Sequence, residues 1–204
     1  FPWLRYLTDG PSSGFDWLAQ VNWRPSKQVE IYGRVRHQDR ARNTAMDVRG
    51  IDPLVRMEQT NYRVNASYKV SSAVSLRTRI ETVDFQRGSA PLSHGFLLYQ
   101  DIVHRPLSSP LELTLRFALF DTESYDSRIY AYENDLIGVF SIPPYYGRGI
   151  RWYGMVRVTP LRRVDIWLRY GAFIYNDQSS VSSGLQEISG NMRSDLKLQV
   201  RWIL

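Results

Sequence analysis

The chain has 204 residues, 43% hydrophobic and 23% charged, a balance that excludes a disordered polyelectrolyte and fits one domain or a large piece of one. It carries 26 Lys and Arg against 20 Asp and Glu, a net charge of +6, and no cysteine, which rules out a disulfide framework and a thiolate metal site. No run of about 18 apolar residues exists for a membrane-spanning helix. The mean hydropathy of −0.36 suits a soluble protein or transmembrane strands, whose alternation averages out.

In chain order, WLRYL near the start predicts a short first strand. FDWLAQVNWRP then sets Phe15, Trp17, Ala19, Val21 and Trp23 on one face, with Asp16, Gln20, Asn22 and Arg24 on the other. After the turn at Pro25–Lys27, Val29, Ile31 and Val35 alternate with Glu30, Arg34 and Arg36. The next two strands place Tyr62, Val64, Ala66, Tyr68 and Val70 against Arg63, Asn65 and Lys69, and Val74, Leu76 and Ile80 against Arg77, Arg79 and Glu81. GFLLYQDIVHR (95–105) is a strand by composition whose faces the pattern does not assign.

The second half continues the alternation. Leu111, Leu113, Leu115, Phe117 and Leu119 oppose Glu112, Thr114 and Arg116. Ile150, Trp152, Val156 and Val158 oppose Arg151 and Arg157, and Val164, Ile166, Leu168, Tyr170 and Ile174 oppose Asp165 and Arg169. The last stretch, DLKLQVRWIL, sets Leu196, Leu198, Val200, Trp202 and Leu204 against Asp195, Lys197, Gln199 and Arg201. Each strand is near the roughly 9–11 residues that cross a bilayer at a tilt.

Connections alternate in length. Short ones fall at Pro25–Lys27, Ser71–Ala73, Pro106–Pro110 and Pro160–Arg163, and long polar ones at about 42–59, 86–95, 122–149 and 176–192. Short turns at one end and long loops at the other is the layout of an outer-membrane barrel, here of about ten antiparallel strands within a range of about eight to twelve. SRIYAYENDL pairing with GVFSI would change that count by two. A soluble β-sandwich or calycin is the competing fold, with the apolar face inward. The Arg-rich mid-strand polar face favours the barrel, because guanidinium–carboxylate forks suit a crowded lumen.

In that reading Glu30, Arg34, Arg36, Arg63, Arg77, Arg79, Glu81, Glu112, Arg116, Arg157, Asp165, Arg169, Asp195 and Arg201 form a lumen charge lattice. Trp17, Trp23, Tyr62, Tyr68, Trp152 and Trp202 form interfacial girdles on the apolar face. Leu196, Leu198, Val200, Trp202 and Leu204 form the terminal signal read by barrel-insertion machinery. The segment DTESYDSRIYAYENDLIGVFSIPPYYGRG, with Tyr125, Tyr130, Tyr132, Pro143, Pro144, Tyr145 and Tyr146, is a candidate docking loop.

Catalytic signals are weak. His37, His94 and His104 lack ligand spacing, so no metal or other cofactor is expected. Ser67 and Ser75 could serve an outer-membrane hydrolase only beside a histidine, which the sequence does not supply. The carboxylates Glu30, Glu81, Glu112, Asp165 and Asp195 are explained by pairing with lumen arginines. Basic residues are spread strand by strand, not clustered as in nucleic-acid binders, so nucleic acid is not an expected partner. GRG at 147–149 is too short for a phosphate loop, and NAS at 65–67 lies mid-strand.

GFLLYQDIVHRP, ELTLRFALFDTESYDSRIYAYENDL, FSIPPYYGRGIRWYGMVRV, DIWLRYGAFIYND and GLQEISGNMRSDLKLQVRW resemble the C-terminal region of a family of Bacteroidetes outer-membrane proteins. Longer members carry a helix-hairpin-helix module upstream of the barrel. The likeness covers most of the chain and is most specific from about residue 95 onward. It implies a Gram-negative outer-membrane barrel, either self-contained or the C-terminal strands of a larger one. No helix-hairpin-helix glycine turn occurs here, so DNA binding carries over to no residue. The final Leu204 stands where many outer-membrane proteins have an aromatic. The chain begins at Phe1 without a signal peptide, which reads as a processed form or a fragment.

The expectation is a non-enzymatic outer-membrane barrel in contact with lipid, scaffolding an envelope complex through its loops. The alternatives are a transporter or anion-preferring pore with an Arg-rich lumen, and an outer-membrane hydrolase.

Overall fold

Period-two alternation organises the chain into one large antiparallel sheet. The computed structural model describes residues 1–4, 6–44 and 52–203, and Leu204, expected in the terminal signal, lies outside them. The long strands are β1 (Phe15–Trp23), β2 (Val29–Asn43), β3 (Leu54–Lys69), β4 (Val74–Arg87), β5 (Ser93–His104) and β6 (Leu111–Thr122). A 25-residue excursion, 123–147, follows and holds the two-residue strands β7 (Ile129–Tyr130) and β8 (Pro144–Tyr145). Then come β9 (Arg148–Leu161), β10 (Val164–Tyr175), the small pair β11 (Ser180–Val181) and β12 (Ile188–Ser189), and β13 (Met192–Trp202). The fold is all-β, 65% strand and 3% helix.

The nine long strands lie in the order β1-β2-β3-β4-β5-β6-β9-β10-β13, each beside its neighbour in sequence apart from the excursions. Among the described residues β1 pairs only with β2 and β13 only with β10, so the sheet is open and no closed barrel forms. Among the described residues the WLRYL stretch adds no strand to the main sheet, which has nine strands where about ten were expected. The chain turns at residues 6–7, where Leu7 has a φ of 60°, a left-handed conformation that does not continue a strand. The loop expected at 42–59 is shorter, because the LVRMEQTN alternation after Pro53 starts β3 at Leu54. The loop expected at 86–95 contracts to 88–92, since Ser93 and His94 already pair with Phe85 and Asp84. SRIYAYENDL and GVFSIPPYY do pair, through Ile129↔Tyr145 and an isolated bridge Glu133↔Ser141, but outside the main sheet.

Burial is inverted relative to a soluble sheet. On β13, Leu196, Leu198, Val200 and Trp202 are 60% to 72% exposed. On the opposite face Glu81, Asp101, Arg116 and Arg169 are 2% exposed or less. The excursion 123–147 folds back over that polar face. Its alternate residues Ile129, Ala131 and Tyr145 are buried with Val83, Leu97, Ala118, Phe120, Phe173 and Tyr175 in an apolar cluster toward the long-loop end. The inner face is therefore charged through mid-strand and apolar toward the loops. Phe120 packs edge-on to Tyr145, Phe173 and Tyr175 at 5.7–5.9 Å between centroids within this cluster of rings.

Candidate functional site: a buried charge lattice and its latch

The excursion is fixed to the sheet by arginines from three strands. Arg79 of β4 donates to the carbonyl of Tyr130 at 3.2 Å, Arg116 of β6 to Tyr132 at 2.7 Å, and Arg169 of β10 to Asn134 at 3.2 Å. The accepting carbonyls are two residues apart, the repeat of an extended chain, so an arginine stands under every second peptide. Between them Glu133 points into the sheet. It accepts from Arg151 Nε at 3.0 Å and Nη2 at 2.9 Å, from the Tyr145 hydroxyl at 2.8 Å, and from Arg169. Asp135, also buried, accepts from Lys197 of β13 at 2.5 Å.

Asp195 completes the group, 3.3 Å from Arg151 and 2.8 Å from Arg169. Arg151 lies on β9 and Asp195 on β13, with β10 between them. Gly171 of β10, paired with both Tyr153 and Asp195, leaves a gap in the inner face through which the guanidinium crosses. Burial pushes the Glu133 carboxyl up, but the hydrogen bonds and charge of Arg151, with the charge of Arg169, outweigh it and hold the group below the usual carboxylate range. Burial, then the negative charge of Glu133, drives the Tyr145 hydroxyl well above the ordinary phenol range. The cluster is a carboxylate held between two guanidinium groups. Removing one partner of such a buried pair costs about 3–5 kcal/mol, because the other charge is left unsatisfied.

A second node lies on β5 and β6. Arg116 grips Asp101 with two hydrogen bonds, 2.5 and 2.7 Å, and its guanidinium sits 3.8 Å from the Tyr99 ring centre and 5.6 Å from that of Tyr153. At the short-turn end Asp165 accepts from Arg157 at 3.0 Å, Thr159 at 2.7 Å and Arg201. Glu112 bonds Arg157 at 2.6 Å and lies 3.1 Å from Arg105. Toward β1, Arg36 pairs with Asp16, Arg63 and Arg79 share Glu81, and Glu30 meets Arg24 at 3.1 Å. Arg34 donates to Gln20 at 2.6 Å. Arg77 faces Asp101 in register, but Arg116 already holds that carboxylate.

The expected girdle residues Trp17, Trp23, Tyr62, Tyr68, Trp152 and Trp202 are all exposed on the outer face. In the candidate docking loop Tyr125, Tyr130 and Tyr132 are exposed, while Pro143, Pro144 and Tyr146 are half-buried. Tyr145 departs from the expectation: it is fully buried against the sheet with its hydroxyl on Glu133, so it holds the loop down and cannot present a docking surface.

His94 Nδ1 lies 2.8 Å from Asp84, and His37 Nδ1 lies 2.9 Å from the Thr60 hydroxyl between the Phe15 and Trp17 rings. Ser67 and Ser75 line a cavity of about 910 Å³ at the short-turn end that contains no histidine. Among the described residues no three His, Asp or Glu side chains gather to hold a metal.

Sequence reasoning missed Asp101, Glu133, Asp135 and Arg151 as lattice members. Arg151 was legible by parity with Arg157. The partners of Glu133 and Asp135 were not, since they depend on how the excursion folds. No protein-family model, curated protein or solved structure matches the chain.

Proposed function

We propose that this chain is a wall of a transmembrane β-barrel in a bacterial outer membrane, its lumen side closed over β4–β13 by its own excursion, acting as a non-enzymatic scaffold. The observation that carries the proposal is the inversion of burial: carboxylates and guanidinium groups are inside while Leu, Val and Trp cover the outer face. In water the outer face would be an unusually large apolar patch, and lipid satisfies it. β13, at 11 residues, fits one crossing, and the longer β2 and β3 extend beyond the bilayer on the long-loop side.

An open sheet leaves unpaired backbone groups on β1 and β13 that hydrocarbon does not tolerate, so further strands close the wall in the membrane. The uncovered side of the excursion, with Tyr130, Tyr132 and Phe140 exposed, then faces the barrel interior or a docked envelope partner. The resemblance to the C-terminal region of Bacteroidetes barrels leads to the same arrangement.

Folding the protein into vesicles with brominated lipids tests this. Bromines near the headgroups should quench Trp23 and Trp202, and leave the inward-facing Trp167 bright. Unquenched outer tryptophans that a water-soluble quencher reaches would sink the proposal.

The pore reading draws on one observation. The excursion does not pack onto the polar faces of β1 and β2 but stands off β2 across a cavity, and Gln20, Arg34 and Arg36 are exposed or half-exposed there. Steady anion-selective conductance steps would favour it over a closed scaffold.

A further inference from the structure

β2 carries an arginine ladder whose charge the described structure does not balance. Arg34, Arg36, Arg40 and Arg42 share its inner face, broken only by Gln38. At about 3.3 Å per residue, Arg34 to Arg40 spans roughly 20 Å along the strand. Arg34 stands directly opposite Arg63 of β3, a like-charge cross-strand pair that is destabilising on its own.

The available carboxylates are already engaged. Asp16 holds Arg36 through two hydrogen bonds, and Glu81 is shared by Arg63 and Arg79. Among the described residues Arg34 has only the Gln20 amide oxygen as hydrogen-bond acceptor. Among the described residues Arg40 has no hydrogen-bond acceptor and no carboxylate within 4.0 Å. Among the charges acting on it, those of Arg42, Arg36 and Arg128 repel its positive charge and that of Asp16 attracts it.

Arg34, Arg36, Arg40 and Arg63 line a cavity of about 270 Å³ between β2–β4 and the Asp126–Tyr130 stretch of the excursion. Five guanidinium groups line it against two carboxylates, Glu81 and Asp126. Amides of Gln38, Gln59 and Asn61 line the same walls, able to donate to oxygen. Planar forks beside amide donors, with positive charge in excess, match the chemistry of phosphate oxygens. The extent of the ladder favours an anion with more than one such group.

We propose that this cavity binds an elongated anion bearing two or more phosphate-class groups, either free in solution or carried on a lipid headgroup, with Arg34 and Arg40 at its two ends. Bound there, the ligand relieves the Arg34–Arg63 opposition and ties β2 to the excursion through Arg128.

The test is binding of inorganic tripolyphosphate and orthophosphate to the detergent-solubilised full chain, by calorimetry at constant ionic strength. Tripolyphosphate should bind saturably and tighter than orthophosphate. R34Q and R40Q should each weaken it about tenfold, and R193Q, outside the cavity, should not. R34K and R40K keep the charge and should retain part of the affinity, which separates loss of the site from loss of fold.

Native mass spectrometry of protein extracted from membranes identifies the source. A retained phospholipid or glycolipid adduct absent from R34Q/R40Q assigns a headgroup, whereas tripolyphosphate binding without an adduct assigns a soluble anion. The proposal is overturned if neither tripolyphosphate nor a lipid is held, or if R34Q and R40Q bind as the wild type does. It is also overturned if both variants lower the melting temperature while the wild type ignores tripolyphosphate. That result would mean carboxylates from other strands already neutralise the ladder. The calorimetric outcomes do not depend on whether the outer face meets lipid.

Discussion

The guanidinium of Arg151 occupies the space a side chain would fill at Gly171. A Cβ there would lie 2.9 Å from Arg151 Nη1 and 2.8 Å from the Tyr153 Cβ. The glycine is the passage by which a β9 arginine reaches a β13 aspartate across the intervening strand.

Gly171→Val should therefore cost stability on two counts, overpacking against Tyr153 and loss of the Arg151–Asp195 bond. The expected penalty is about 1–3 kcal/mol, with Gly171→Ala nearer the lower end. Thermal unfolding in detergent checks it, and a Gly171→Val protein as stable as the parent would refute the passage.

Glu133→Gln should loosen the excursion more than any single change on its exposed side. It leaves Arg151 buried with Asp195 as its remaining carboxylate, and Arg169 with Asp195 and the more distant Asp135, a loss of about 3–5 kcal/mol. Trypsin should then cut after Arg128, a bond held in the parent by the contacts of Tyr130, Tyr132 and Asn134. Tyr132→Ala, whose ring is exposed, should leave the cleavage pattern as it was.

Acid should release the same latch. Because folding lowers the Glu133 pKa from its ordinary 4.5, the carboxylate stabilises the fold fully above about pH 4.5. That contribution falls as the pH drops through the lower folded value. Melting temperatures of wild type and Glu133→Gln should differ at neutral pH and converge below pH 4.5. Two parallel curves would mean Glu133 is not the titrating group.

Leu198→Arg distinguishes a lipid-facing surface from a water-facing one. Near the middle of a membrane strand the change should destabilise the inserted protein by about 2–4 kcal/mol. On a sheet in water it would instead improve solubility. Folding yield in vesicles, compared with yield in aqueous buffer, gives the sign.

Most of the sheet was legible because period-two alternation marks a strand whichever face is buried, so DLKLQVRW and LELTLRF both showed their two faces. Which face lies inward follows from the same residues only when the environment is assumed, and the buried arginines agree with the inverted choice. The pattern failed at β5. There Leu97, Tyr99 and Asp101 share the inner face while Phe96 and Ile102 lie outside, so apolar residues fall on both parities. Leu97 is apolar and inward because it packs under the excursion, a long-range contact that local spacing does not encode. Tyr145 was misjudged for the same reason: a tyrosine in a loop reads as surface until Glu133 and Phe173 are known to lie beside it.

The latch also imposes an order on biosynthesis. Glu133 and Asp135 are made before Arg151, Arg169 and Lys197, the groups that neutralise them. While the later strands are missing, the excursion carries bare carboxylates that favour water over the sheet. Glu133 is neutralised from β9 and β10 and Asp135 from β13, so the seat of the excursion is assembled from three strands made after it.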